Sequence, residues 1–337
     1  MTGPTVLLIH PTIREVGVAT LKESARVHLA PDGREDTLVR EANACRADAL
    51  IVRVEQATRA LFEQAPSLKI VGMHGVGTDA IDVDAATEAG VLVLNAPRVN
   101  YVSTAEHTLA LLLAVAKNVA CGDLAVRRGE FTAFRESRLP MEIAGRTLFV
   151  VGLGRVGSEV ARKCRAAFDM RVLACDPLYD RQAMAAQGVE WTSFERGLAG
   201  ADFVSLHVPL KADTRGMMDR RAFAAMKPGA VLLNLSRGAV VDQAALVDVL
   251  RSGHLAGAGL DVFDPEPVAE GDALTLLPRV VLSPHYAGDT VSARDRCSRT
   301  IARSVLAAWA GEPVDGVVNP EVLRSPRLRL SRAPRFS

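Results

Sequence analysis

Two sets of residues in this sequence have types and spacings suited to chemistry. In the first, Gly152-Leu153-Gly154-Arg155-Val156-Gly157 stands between the apolar run TLFVV and the helix-compatible stretch SEVARKCRAAF. Gly152 can make a tight turn, Gly154 lets a pyrophosphate approach the backbone, and Gly157 permits close packing of strand on helix. The helix start then offers N–H groups to the anion. Asp176 follows Gly157 by 19 residues, at the end of the next apolar run, RVLACD. Its carboxylate suits the two hydroxyls of an adenosine ribose, whereas a 2′-phosphate would be repelled and Pro177-Leu178-Tyr179 brings no compensating base. The pattern favours NAD over NADP; a turn without cofactor and a simple strand cap at Asp176 are the competing readings.

The second set lies downstream: Ser236-Arg237-Gly238, then Asp261-Val262-Phe263-Asp264-Pro265-Glu266-Pro267, then Ser283-Pro284-His285-Tyr286-Ala287-Gly288. Together they hold a cation, an orienting carboxylate and a histidine able to move a proton. Distance along the chain does not make them neighbours, and a salt bridge at a domain rim competes for Arg237 and Glu266. In a doubly wound sheet, however, such segments converge beyond the carboxyl ends of the strands, around one reacting carbon.

The elements needed to position them are legible as apolar runs. VLLIH (6–10), DALIV (48–52), LKIVGMH (68–74) and VLVLNA (91–96) read as parallel strands buried on both faces, with helices such as 57–64 and 82–89 between them. A second series comprises TLFVVG (147–152), RVLACD (171–176), FVSLHV (203–208), AVLLNLS (230–236), AGLDVF (258–263) and VVLSPH (280–285), six strands in all. The expected fold class is α/β. A helix over 101–119, opened by Ser103 or Thr104, can bridge two domains; the polar stretch 122–138 interrupts the core pattern. A further helix spans 290–309, and the last ten or so residues are expected to fray or to cover a neighbouring surface.

Composition narrows the function classes. A chain of 337 residues suggests about two domains. Its 40 basic and 39 acidic residues leave a net charge of +1, which argues against nucleic acid as the main partner. The five cysteines, Cys45, Cys121, Cys164, Cys175 and Cys297, form no CxxC pair and read as free thiols of a reducing compartment. The start lacks a basic region followed by a long apolar one, so secretion is not expected and a cytoplasmic location is. LALLLAVA (109–116) is too short for a membrane span and reads as a core helix.

The chain resembles the D-isomer-specific 2-hydroxyacid dehydrogenase family, in its phosphoglycerate dehydrogenase-like branch, from about Val6 to Leu323. The ordered motifs are HGVGTDAID (74–82), STAEHTLALLLA (103–114), GLGRVG, HVPL (207–210), NLSRGAVVD (234–242), GLDVFDPEP (259–267) and SPHYAG (283–288). The resemblance implies a doubly wound Rossmann-type NAD domain over 100–289. It also implies a smaller, discontinuous flavodoxin-like α/β substrate domain from 1–99 and 290–325, and a tail at 326–337. It further implies that Arg237 binds the substrate carboxylate and keto oxygen, that His285 is the acid/base, and that Glu266 orients His285. Reduction would use protonated His285 and oxidation the neutral ring, so oxidation should improve as pH rises. Cofactor contacts are implied for Gly152, Gly154, Arg155, Val156, Gly157 and Asp176. More are implied for His207, Val208, Pro209, Thr214, Leu235, Ser236, Asp261 and Gly288, with Asp261 near the nicotinamide carboxamide. Thr104 faces the same region or simply caps its helix. Substrate contacts are implied for Gly75, Val76 and Gly77, whose amides can receive a carboxylate, with His74 either at the entrance or packed in the loop.

Two positions depart from the family pattern: Met73 where Arg is common and Ala80 where Asn is common. The missing guanidinium argues mildly against a doubly charged phosphorylated substrate, and Met73 suggests room for an apolar side chain. The chain ends soon after the returning helix, so feedback through an attached regulatory domain is not expected. No metal is expected, since the hydride and proton chemistry has its groups without one. A homodimer through 101–119 and 122–138 is implied. The expected activity is NAD-dependent interconversion of a D-2-hydroxy acid and its 2-oxo acid. Glyoxylate or hydroxypyruvate reduction and phosphoglycerate oxidation are the specific alternatives. An NAD-responsive corepressor-like protein is the alternative of another class.

Overall fold

The computed structural model describes residues 3–9, 13–137 and 139–335. The chain divides into two compact units, Met1–Asn100 with Thr290–Ser337, and Tyr101–Asp289.

The first unit is built on five parallel strands, β1 (Thr5–Ile9), β2 (Arg26–Ala30), β3 (Ala49–Val52), β4 (Ile70–Met73) and β5 (Leu92–Leu94), in the order β2-β1-β3-β4-β5. This is the flavodoxin-like order. All strands but the edge strand β2 are buried throughout, as continuous aliphatic runs require. Alternate side chains feed two layers. Leu7, Leu50, Val52, Val71 and Val93 pack to one side; Val6, Leu8, Ile51, Ile70 and Leu92 pack to the other, with Ile301 and Val305 of the helix Val291–Ala310. Thr290 caps that helix by accepting from Ala293 N–H.

The C-terminal stretch is tied down rather than frayed. Leu330 is buried, Arg329 N–H donates to Gly90 O, and the Arg329 guanidinium donates to the carbonyls of Phe62, Ala65 and Leu68. The Phe62 carbonyl is one of those left open in the last turn of the helix Arg59–Gln64. His10, the end of the first expected strand, and the final two residues lie outside the described residues.

The second unit holds seven parallel strands: β6 (Thr147–Val151), β7 (Arg171–Cys175), β8 (Glu190–Trp191), β9 (Phe203–Leu206), β10 (Val231–Asn234), β11 (Gly257–Leu260) and β12 (Val280–Leu282). Their order is β12-β11-β10-β9-β6-β7-β8, so the winding reverses beside β6, as in a doubly wound nucleotide-binding sheet. The seventh strand, β8, is a two-residue exposed edge with no apolar run to announce it. The helix Tyr101–Ala116 packs on β11 closely enough that a side chain at Gly259 would meet Leu111 and Leu233.

One helix expectation needs correction. Ser103 and Thr104 do not open the helix; it starts at Tyr101, after the turn at 97–100, so both lie buried in its first turn. The polar stretch after it is itself helical, as Val119–Arg127 and Phe131–Ser137; Arg138 lies outside the described residues. Among the described residues, no single helix is long and apolar enough to cross a membrane.

Candidate active site

The residues with chemical promise leave the carboxyl ends of the parallel strands in the second unit. β6 leads into the glycine loop, β7 into Asp176, β9 into His207, β10 into Arg237, β11 into Asp261 and Glu266, and β12 into His285. Arg237, Glu266 and His285 therefore come from three adjacent strands although 48 positions separate the first from the last.

The glycines have distinct steric reasons. Gly152 has φ +92°, and a side chain there would sit 2.8 Å from His207 O; at Gly157 it would sit 2.1 Å from Gly152 O. At Gly154 a Cβ would meet nothing within 4 Å, so the protein leaves open space at that loop position. Gly154 is also the N-cap of the helix Arg155–Phe168, whose first turn carries no acidic residue and no side-chain cap. The first N–H groups and the helix dipole are thus available to an anion, so the loop fits a dinucleotide pyrophosphate. Helical spacing of the buried Gly157, Val160, Ala161 and Cys164 fixes the helix against the sheet. Asp176 braces the loop: Leu153 N–H donates to its Oδ2 at 2.7 Å and Leu178 N–H to its Oδ1 at 2.8 Å.

These differences have a measurable consequence. Gly157→Ala is expected to lower stability by about 1–3 kcal/mol, because overpacking against a backbone carbonyl outweighs the roughly 1 kcal/mol gain in helix propensity. Gly154→Ala should leave the melting temperature unchanged while weakening dinucleotide affinity. Thermal unfolding and a dinucleotide titration of both variants check the contrast.

At the β11 and β12 ends, Glu266 Oε2 lies 2.7 Å from His285 Nδ1, and Glu266 Oε1 accepts from Phe263 N–H at 2.9 Å. The carboxylate is held at one oxygen and turns the other to the imidazole, which fixes Nδ1 as the Glu266-facing nitrogen. Nε2 has no partner among the described residues, and the ring is half exposed. His285 adopts φ +49°, a left-handed conformation uncommon for a side-chain-bearing residue, with its N–H on Ser283 O. The buried Asp261 carboxylate steadies this turn by accepting from Ser283 Oγ at 2.6 Å, Tyr286 N–H at 3.1 Å and Ala287 N–H at 3.0 Å. Asp261 is therefore an anchor of the His285 loop, 1% exposed, and not an open surface contact.

Arg237 is presented by a similarly built turn. Buried Asn234 accepts from Ser236 N–H and Oγ and donates through Nδ2 to Arg237 O, while Arg237 Nη1 donates to Ser236 O at 2.7 Å. Gly238 is pressed on the β11 loop, since a Cβ there would lie 1.9 Å from the Phe263 carbonyl. Asn234 and Ser283 lie within recognised motifs but received no role from sequence; each is a polar residue at the end of an apolar run, the signal that could have singled it out.

The remaining expectations divide. His207 contacts Ser205 Oγ through Nε2 at 2.8 Å, and burial pushes its imidazole down to about 4, so it is neutral near pH 7 and poorly suited to proton transfer. Thr214 closes the HVPL loop, donating to Pro209 O and accepting from Lys211 N–H. Val208 flanks Gly152, Leu235 is buried in the core, Arg155 and Val156 open the glycine-loop helix, and Gly288 follows the His285 turn. Thr104 is buried, its carbonyl accepting from Thr108 Oγ1.

In the first unit, the loop Gly75–Gly77 follows β4 and is tied by Ala96 N–H to Gly75 O and Asn95 Nδ2 to Val76 O. His74 is buried with Nε2 2.8 Å from Ser298 Oγ, the packed position and not an entrance. Met73 is 3% exposed and belongs to the core beneath Gly75, so it opens no room for a substrate side chain. Its burial follows from strand alternation, which points it into the layer shared by Val71.

Residues 109–287 match the family model described as D-isomer specific 2-hydroxyacid dehydrogenase, NAD binding domain. The chain is 45% identical over 326 residues to a D-3-phosphoglycerate dehydrogenase of Mycobacterium leprae, covering 94% of this chain and 60% of that protein. It thus spans about three fifths of the length of that curated relative. Among solved structures, a protein of Thermus thermophilus superposes with a TM-score of 0.83 at 36% identity, covering 93% of this chain and 99% of the other. The D-mandelate dehydrogenase of Rhodotorula graminis superposes with a TM-score of 0.85 at 28% identity, covering 94% and 98%.

Proposed function

From the premise that this chain belongs to the D-isomer specific 2-hydroxyacid dehydrogenases, we propose that it interconverts a D-2-hydroxy acid and its 2-oxo acid with NAD. The observation that carries this reading is the Glu266–His285 pair held at the same strand ends as Arg237 and a glycine loop fit for a dinucleotide.

The glycine loop, the first amides of its helix and Asp176 hold the cofactor, which when reduced supplies a hydride for the keto carbon. Arg237 pairs its planar fork with the substrate carboxylate and keto oxygen, and its fixed charge stabilises the oxygen as negative charge develops. His285 gives that oxygen a proton from Nε2, because Nδ1 is committed to Glu266. In oxidation the neutral ring takes the hydroxyl proton through the same nitrogen. Gly75, Val76 and Gly77 in the first unit offer backbone donors to a carboxylate.

The relatives named D-3-phosphoglycerate dehydrogenase favour phosphoglycerate as the second reading. A cytoplasmic location is supported by five cysteines that all stand as thiols. A homodimer is supported by Val119, Leu124, Val126 and Phe131, apolar side chains left exposed on the two helices after Ala116.

The reading is tested by following NADH consumption with glyoxylate, hydroxypyruvate, pyruvate and branched or aromatic 2-oxo acids. Turnover of at least one, or NAD⁺ reduction by D-3-phosphoglycerate, is expected, and turnover of none of these would remove the activity. The same assay examines Asp176. Asp176→Ala should lower the preference for NADH over NADPH, in kcat/KM, by about 10- to 100-fold, the scale of losing hydrogen bonds to a charged group. An unchanged ratio would leave Asp176 only its loop-bracing role.

A further inference from the structure

We propose that His107 is a positioning residue for this reaction, holding the His285 turn from both flanks through Ser283 and Tyr286; this rests on the dehydrogenase reading above. His107 belongs to the helix Tyr101–Ala116, and no step of the mechanism uses it. Its Nε2 lies 2.9 Å from Ser283 Oγ, a partner 176 positions away in sequence. The direction of this bond follows from the groups beyond it. Asp261 Oδ1 accepts the Tyr286 amide and lies 2.6 Å from Ser283 Oγ, so the one hydroxyl proton of Ser283 points to Asp261. Ser283 Oγ must then accept from His107, which assigns the ring proton to His107 Nε2. The result is a one-way chain, from His107 Nε2–H to Ser283 Oγ–H to Asp261, ending on a buried carboxylate that also takes the Tyr286 and Ala287 amides. Such chains strengthen each member.

The same imidazole meets the other flank. Its ring stands edge-on to Tyr286, with centroids 5.0 Å apart and planes at 62°. His285 lies between these two contacts, in its left-handed conformation and with its N–H on Ser283 O. A backbone in that region persists only where its surroundings fix it, and here the residues on either side are both fixed by His107. Loss of His107 removes the donor that orients Ser283 and the ring that seats Tyr286. The His285 turn then relaxes and Nε2 loses its aim, while the glycine loop, on another strand end, is untouched.

His107→Ala is expected to lower kcat about 10- to 100-fold, the scale of a small misplacement of a reacting group, with NADH affinity unchanged. His107→Gln, whose side-chain amide can still donate to Ser283 Oγ, should recover most of that loss. Hydrogen exchange at the Tyr286 and Ala287 amides should quicken in His107→Ala and return towards wild type in His107→Gln. Wild-type kcat and unchanged exchange in His107→Ala would overturn the proposal. So would a loss of kcat that His107→Gln does not recover while exchange stays unchanged. If His107→Ala does not fold, His107→Phe takes its place, keeping a ring against Tyr286 but no donor for Ser283 Oγ: reduced kcat with faster exchange at Tyr286 and Ala287 supports the proposal, and unaltered kcat overturns it. A wild-type protein inert towards every 2-oxo acid and towards D-3-phosphoglycerate would instead overturn the dehydrogenase reading, and the exchange measurement would still decide the role of His107.

Discussion

His285→Ala is expected to lower kcat by about 10²- to 10⁴-fold, the range for removing a positioned acid/base, while NADH binds with its wild-type affinity. The separation follows from the geometry. The imidazole stands at the end of β12 with Nδ1 on Glu266, whereas the loop fit for the cofactor leaves β6 and is shaped by Gly152, Gly157 and Asp176. Removing the ring takes away the proton carrier without disturbing those contacts. Steady-state kinetics with a fluorescence titration of NADH check both halves. Wild-type turnover in His285→Ala would show that the proton comes from elsewhere.

Arg237→Lys should cost about 10²- to 10³-fold in kcat/KM although the charge is retained, comparable to losing a donor aimed at a developing oxyanion. A guanidinium presents a planar fork to a carboxylate and its neighbouring oxygen; an ammonium on a flexible stem cannot hold both. The turn around Arg237 is built for a fixed direction, with Asn234 bonded to Ser236 and to Arg237 O, and Gly238 pressed on the Phe263 carbonyl. Equal kcat/KM for Arg237→Lys would show that charge alone suffices and that the fork is not used.

The legibility of this molecule in its sequence follows burial. Interior strands such as β3, β6 and β10 have both faces covered, so each is a continuous aliphatic run. The edge strands β2 and β8 need no such run: β2 carries the exposed Arg26 and Leu29, and β8 is only Glu190 and Trp191, so neither was visible. The runs also overshoot the strands, because residues such as Asp176, His207, Asp261 and Ser283 continue the pattern while already leaving the ladder.

At the candidate site, Gly152 and Gly157 were readable because a turn and a close approach exclude side chains there. The direction of a side chain was not readable. Met73 and His74 adjoin the Gly75–Gly77 loop in sequence yet are buried, Met73 in the sheet core and His74 against Ser298. Thr104 sits at a helix start yet one turn too deep to cap it. The donors to Asp261 were hidden too, because Ser283, Tyr286 and Ala287 lie 22 to 26 positions onward and only the pairing of β11 with β12 brings them near.

Transfer of a hydride and a proton on a D-2-hydroxy acid is the step on which every residue role proposed above depends. Its most direct test is NAD⁺ reduction by the wild-type protein with paired D and L enantiomers of 2-hydroxy acids, followed by NADH absorbance. NADH is predicted to form with the D enantiomer of at least one acid and not with its L partner. Formation with L enantiomers alone, or with neither, would contradict the account.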